Sequence, residues 1–159
     1  RAQRRLQVLR DAARGDRDFL IAARTDARAV VGLEEAIRRG RIFAEAGADA
    51  IFVEAPQSVE EMRQIRAAIP REVVLIANMV ESGKTPLRPA AELAADGFAL
   101  VLCPVSGLLA SAKAMQDVFT SLAAEGSTLA VTDKMLKFGE INAITGLPER
   151  YEREKAWLK

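Results

Sequence analysis

Four short apolar runs recur along this chain, each closed by a polar residue or a turn and each followed by a helix-like stretch. That alternation restricts the fold more than any other feature of the sequence. The runs are Phe19–Arg24 (FLIAAR), Ala50–Glu54 (AIFVE), Val73–Asn78 (VVLIAN) and Phe98–Cys103 (FALVLC). They begin about 23–31 residues apart, the period of a strand–helix unit, so the strands are expected to run parallel. Near-continuous apolarity fits strands covered on both faces. Four such units make half of an eightfold barrel, whose usual length is about 250 residues. The expected fold is therefore α/β, half of a TIM (β/α)8 barrel. An open flavodoxin-like sheet is the structural rival, but it needs a glycine cluster after a strand, and none of these runs has one.

The helix signals agree. Leu33–Ala46 ends at Gly47, a natural residue just past a helix. Val59–Ile69 follows Ser58, with Glu61 three residues on, the spacing of a capping box. Pro89–Ala95 begins with proline and stops before Gly97, and Ser106–Glu125 runs to Gly126. Beyond Gly126 the period changes. Thr132–Ile144 and Pro148–Lys159 read as two further helices, with Met135, Leu136, Phe138, Ile141 and Ile144 as an apolar stripe that needs cover. The expected division is 1–127 for the half-barrel and 128–159 for a C-terminal helical extension.

Composition excludes several classes. A formal net charge of +1 gives no reason to expect nucleic acid or an anionic membrane as partner. No apolar run reaches the roughly 18 residues a membrane helix needs. Cys103, the single cysteine, cannot form an internal disulfide, and the cytoplasm is the expected compartment. The chain opens within a charged helix-like pattern, Arg1-Ala2-Gln3-Arg4-Arg5, and reads as the continuation of a longer protein. There is no histidine, so imidazole chemistry is absent from this chain and any acid or base is a carboxylate, Lys, Tyr, Cys or water.

In a βα barrel the site lies at the C-terminal ends of the strands. Here those ends carry Arg24-Thr25-Asp26, Glu54, Asn78 and Cys103-Pro104-Val105-Ser106. Arg24 either clamps a carboxylate or phosphonate with its planar fork or simply pairs with Glu54. Glu54 can also hydrogen-bond substrate or hold a metal's water, and Asn78 offers a donor and an acceptor. Asp26 reads as a cap or turn residue, and Cys103 as core. Gly83-Lys84-Thr85 is not a phosphate loop, because Asn78 stands where the motif needs glycine and Pro86 would break the following helix.

Four motifs in order carry a resemblance: ARTDA (Ala23–Ala27), AGADAIFVE (Ala46–Glu54), ANMVESGKTP (Ala77–Pro86) and a last strand closing in Pro104. Together they resemble the isocitrate lyase/phosphoenolpyruvate mutase superfamily over nearly the whole chain. FVEAP, ANMVESGKTP and MLKFGEINAITGL lean toward its dimethylmalate lyase and phosphonomutase-like members. The resemblance implies a (β/α)8 barrel of which this is the C-terminal half, plus two C-terminal helices. It also implies an Mg²⁺-dependent enzyme that stabilises a pyruvate enolate with metal and arginine. Carried onto this sequence, Arg24 is the substrate-carboxylate arginine and catalytic residue. Glu54 contacts substrate, Asn78, Met79 and Val80 form a substrate-binding stretch, and Gly126 lies near a further binding position. The family's metal-holding aspartates, its Ser-Gly substrate loop and its Lys-Cys gating loop have no match here, so no metal ligand is expected in this chain and the chain alone is expected to be inactive. Leu109 stands where methylisocitrate lyases carry an arginine, which disfavours a tricarboxylate substrate.

The expected function is a carbon–carbon lyase or decarboxylase acting on small 2-hydroxy or 2-oxo dicarboxylates. A phosphonomutase cleaving a P–C bond is one rival, and a non-catalytic half-barrel that only binds partners is the other. The resemblance further implies a homo-oligomer with exchanged C-terminal helices.

Overall fold

The structure, a computed structural model, describes residues 2–12 and 19–158. Arg1 and Lys159, at the outer ends of two expected helical stretches, lie outside the described residues. The chain forms two compact units, Arg1–Ser106 and Gly107–Lys159.

The first unit is built on a four-stranded parallel sheet. Helix α1 (Ala2–Ala12) precedes β1 (Ala22–Thr25), which leads through α2 (Ala27–Val31) into α3 (Leu33–Glu45). Then come β2 (Ala50–Val53), α4 (Val59–Ala68), β3 (Val74–Asn78), α5 (Ala90–Ala95) and β4 (Leu100–Leu102). The strands lie in chain order, β1-β2-β3-β4, every pair parallel. Consecutive parallel neighbours joined by helices are the arrangement of a (β/α)8 barrel wall rather than of a sheet that reverses its order.

All four strands prove shorter than their apolar runs, β1 and β4 the most. Pairing begins at Ala22 because the Ile21 N–H goes to the Asp49 carboxylate at 2.8 Å, and Phe19 and Leu20 remain exposed. At β4, Phe98 closes the turn after α5 through its N–H to the Leu93 carbonyl at 2.9 Å. Cys103 falls beyond the strand and is exposed, which corrects its reading as a core residue. β4 is the last strand of this sheet among the described residues.

Alternation along the strands sorts the side chains onto two faces. Ala23, Ile51, Val53, Leu75 and Ala77 join the core, where they pack with Ala36 and Phe43 of α3, Met62 and Ile65 of α4, and Leu93 of α5. Arg24, Phe52, Glu54, Ile76 and Asn78 occupy the alternate positions, on the face that becomes a barrel's interior. Val74 and Leu100, which share that face, are 38% and 45% exposed.

The N-terminal end of the sheet is pinned by two arginines. Arg10 of α1 donates to the Gly47 carbonyl and to Asp49 at 2.8 Å. Arg66 of α4 donates to the carbonyls of Ile69, Pro70, Val73 and Gly97. Gly97 has φ +86°, and a Cβ there would sit 2.8 Å from Arg66 Cδ, so both backbone and space call for glycine.

The second unit carries α6 (Ser106–Glu125) onward from the junction, a 3-10 turn (Leu129–Lys134), α7 (Phe138–Ile144) and α8 (Leu147–Trp157). The single helix expected over Thr132–Ile144 is split, because Met135 and Lys137 adopt extended backbone. Glu140 accepts the Lys137 N–H at 2.7 Å and so starts α7 afresh. Leu136, Phe138 and Ile144 are 59%, 82% and 70% exposed, so nothing in this unit covers most of the apolar stripe. No helix among the described residues is long and apolar enough to cross a membrane.

Candidate functional site

Arg24 is the penultimate residue of β1, Asn78 ends β3, and Glu54 follows the last residue of β2. Parallel pairing in register therefore sets all three at the same, C-terminal edge of the sheet. Their side chains meet. Arg24 Nη2 lies 3.1 Å from Glu54 Oε2, and Asn78 Nδ2 donates to that same oxygen at 3.4 Å. Asn78 Oδ1 is shielded from solvent with no donor among the described residues.

Asp26 does more than the cap or turn role read from sequence. It stands at the N-cap position of α2, yet its carboxylate makes no cap hydrogen bond. Instead it accepts from Arg24 Nη2 at 2.8 Å and from Nε at 3.3 Å. That bond to Arg24 is the main cause holding the Asp26 carboxyl below its usual range, against a smaller opposing effect of burial. Both contacts are substantially exposed, Arg24 at 51% and Asp26 at 60% of side-chain surface, so the guanidinium is reachable by a ligand.

The remaining expected positions are placed differently. Met79 buries its side chain in the core and donates its N–H to the Leu102 carbonyl at 2.8 Å. Val80 is half-buried on the loop after β3. Gly126 belongs to the second unit, where its φ of +65° ends α6.

Sequence reasoning missed the lock behind the site. Arg28 of α2 makes a two-point ion pair with Glu61 of α4, at 2.7 and 2.8 Å. Glu61 also accepts the Gln57 N–H at 2.8 Å. The expected capping box is thus half present: Ser58 Oγ accepts the Glu61 N–H at 3.1 Å, but the Glu61 carboxylate is turned to Arg28 and Gln57. This ties the segment after Asp26 to the segment after Glu54, where Ala55 holds a left-handed φ of +57°.

The Arg28 hydrogen bond, opposed by burial and helped by Gln57, lowers the Glu61 pKa from its ordinary 4.5. A carboxyl depressed on folding contributes stability that is present above its unfolded pKa and lost as pH falls through the folded one. Glu61→Gln is therefore expected to flatten the acid side of a melting-temperature profile below about pH 4.5 while lowering stability at neutral pH. An acid limb identical to the parent's would show that the pair contributes nothing.

Magnesium asks for oxygen ligands in near-octahedral array, usually one or two carboxylates with waters. No group of three His, Cys, Asp or Glu side chains suited to a metal occurs among the described residues. Of the carboxylates near the strand ends, Asp26 and Glu54 are both paired with Arg24, and Glu81 accepts from the Ser106 hydroxyl. These residues do not make an Mg²⁺ site by themselves.

Residues 1–123 match the family described as Phosphoenolpyruvate phosphomutase. The chain belongs to the phosphoenolpyruvate phosphomutase family. It is 44% identical over 137 residues to 2,3-dimethylmalate lyase of Eubacterium barkeri, covering 86% of this chain and 47% of that protein. Among solved structures, oxaloacetate acetylhydrolase in complex with the product oxalate superimposes with a TM-score of 0.86 at 27% identity, covering 99% of this chain and 54% of the other. A phosphonopyruvate hydrolase complex with oxalate and Mg²⁺ gives a TM-score of 0.80 at 29% identity, covering 99% and 55%. The chain thus spans about half the length of the relatives it matches, and its fold is the α/β, parallel-sheet half-barrel expected from the strand spacing. Relatives in this phosphomutase family include lyases, and one neighbour is a complex with magnesium.

Proposed function

We propose that this chain supplies the carboxylate-binding half of a carbon–carbon lyase or decarboxylase acting on small 2-hydroxy or 2-oxo dicarboxylates. The observation that carries the reading is the meeting of Arg24, Glu54 and Asn78 at the C-terminal edge of the sheet. Arg24 is half-exposed there, and its planar fork matches a carboxylate with two parallel N–H···O bonds. The same charge stabilises negative charge that develops as the bond breaks toward an enolate. Glu54 holds the Arg24 and Asn78 side chains at one oxygen.

Mg²⁺ would take its protein ligands from outside this chain, and without them the chain alone is inactive. The test is a substrate screen on the complete enzyme, with malate-type dicarboxylates set against phosphonates such as phosphonopyruvate. Turnover of the dicarboxylates supports the lyase, and turnover of the phosphonates alone favours the P–C reading. No turnover of either by the complete enzyme leaves a binding module.

The exposed stripe on and just before α7 supports a homo-oligomer in which the C-terminal helices pack on a second copy of the chain. Phe138→Asp would put a charge into that contact, with an expected cost of several kcal/mol. Light scattering on the intact protein is expected to show a smaller species. An unchanged mass would mean that Phe138 lies outside the subunit contact.

A further inference from the structure

Phe52 is the register partner of Arg24 across the β1–β2 ladder, so the two side chains stand on one face of the sheet. The Arg24 guanidinium carbon lies 4.8 Å from the centre of the Phe52 ring, within the range of a cation–π contact. Phe52 is only 8% exposed, yet it is outside the cluster that packs strands against helices, whereas its neighbours Ile51 and Val53 are inside it. The ring therefore belongs to the interior-facing layer, next to the strand mouth.

Three groups touch one planar cation. Asp26 and Glu54 bind at Nε and Nη2 and so fix the fork by its edge. Both bonds from Nε to Asp26 are long, at 3.3 Å, so these edge contacts restrain tilt of the plane only loosely. A ring against the guanidinium opposes that tilt, and a two-point hydrogen bond to a carboxylate depends on that plane. We propose that Phe52 is a positioning residue that sets the plane of the Arg24 guanidinium, and through it the orientation of the substrate carboxylate. The inference rests on the reading of Arg24 as the carboxylate-binding group. An aliphatic residue would fill the same space without this effect.

The test is a double-mutant cycle in the complete enzyme, with Phe52→Leu, Phe52→Tyr, Arg24→Gln and the Phe52→Leu/Arg24→Gln pair. The readouts are kcat/KM, the inhibition constant of oxalate and the melting temperature. Phe52→Leu is expected to lower kcat/KM and oxalate affinity by about 3- to 30-fold, while Phe52→Tyr keeps both within about twofold. In the Arg24→Gln background Phe52→Leu is expected to add no further loss, because the cation it acts through is gone. Equal losses from Phe52→Leu in both backgrounds would overturn the inference, as would Phe52→Tyr failing as badly as Phe52→Leu. Should Phe52→Leu unfold the protein, the volume-matched Phe52→Met takes its place in the same cycle: a loss confined to the Arg24 background supports the inference, and equal losses in both backgrounds overturn it. If Arg24→Gln itself keeps the parental kcat/KM and oxalate affinity, the carboxylate reading falls, and this inference with it.

Discussion

Arg24→Lys in the complete enzyme is expected to lower kcat/KM by about 30- to 1000-fold, a loss of ~2–4 kcal/mol of transition-state stabilisation. Lysine keeps the positive charge but is a point donor on a flexible stem, without the planar fork. The loss should be large because the fork is already held in place before substrate arrives. Asp26 engages Nε and Nη2, Glu54 lies 3.1 Å from Nη2, and the Phe52 ring lies against the guanidinium. A lysine ammonium cannot satisfy both carboxylates with the same geometry and also present two parallel donors to a ligand. Steady-state kinetics within about threefold of the parent, well under one kcal/mol, would mean that Arg24 is only an ion-pair partner of Asp26 and Glu54.

Leu75→Ala should bring the largest loss of stability. Leu75 is 1% exposed, lies in β3 between two paired strands, and belongs to the core shared with α3, α4 and α5. Deleting such a side chain removes its transfer free energy and leaves a cavity, with a cost of about 2–5 kcal/mol. Leu100→Ala in β4 provides the contrast, because Leu100 is 45% exposed on the opposite face of the sheet. Within this chain its truncation should cost well under half as much. Urea unfolding at fixed protein concentration compares the two. A Leu75→Ala loss below about 1 kcal/mol would show that the helices do not close over β3 as the structure has them.

Much of the site was legible because a buried strand that ends in a charged or amide group announces an exposed end. Arg24, Glu54 and Asn78 all stood out in this way, and parallel register brought them to one edge. Phe52 was harder to see, although the alternation offered a signal: it sits two residues before Glu54 and so shares its face. Asp26 and Glu61 carried the signatures of local capping residues. Each found a stronger acceptor role with an arginine, Arg24 for Asp26 and Arg28 for Glu61. A charge-assisted hydrogen bond outweighs a neutral one, and in the case of Glu61 the partner lies on a different helix, so local spacing could not foretell it.

The sequence by itself determined the strand–helix period, the parallel sense of the strands and the identity of the groups at their ends. Those follow from hydrophobic period and turn chemistry, which act over a few residues. Only the tertiary structure decided where pairing begins and stops. Asp49 takes the Ile21 N–H and delays β1, and β4 ends at Leu102, so Cys103 lies exposed beyond it. It also decided which face of each strand meets helices, so that Phe52 stands with Arg24 and away from Ile51. These outcomes depend on partners 28 residues away in the chain, as for Ile21 and Asp49, and no local pattern encodes a partner at that distance.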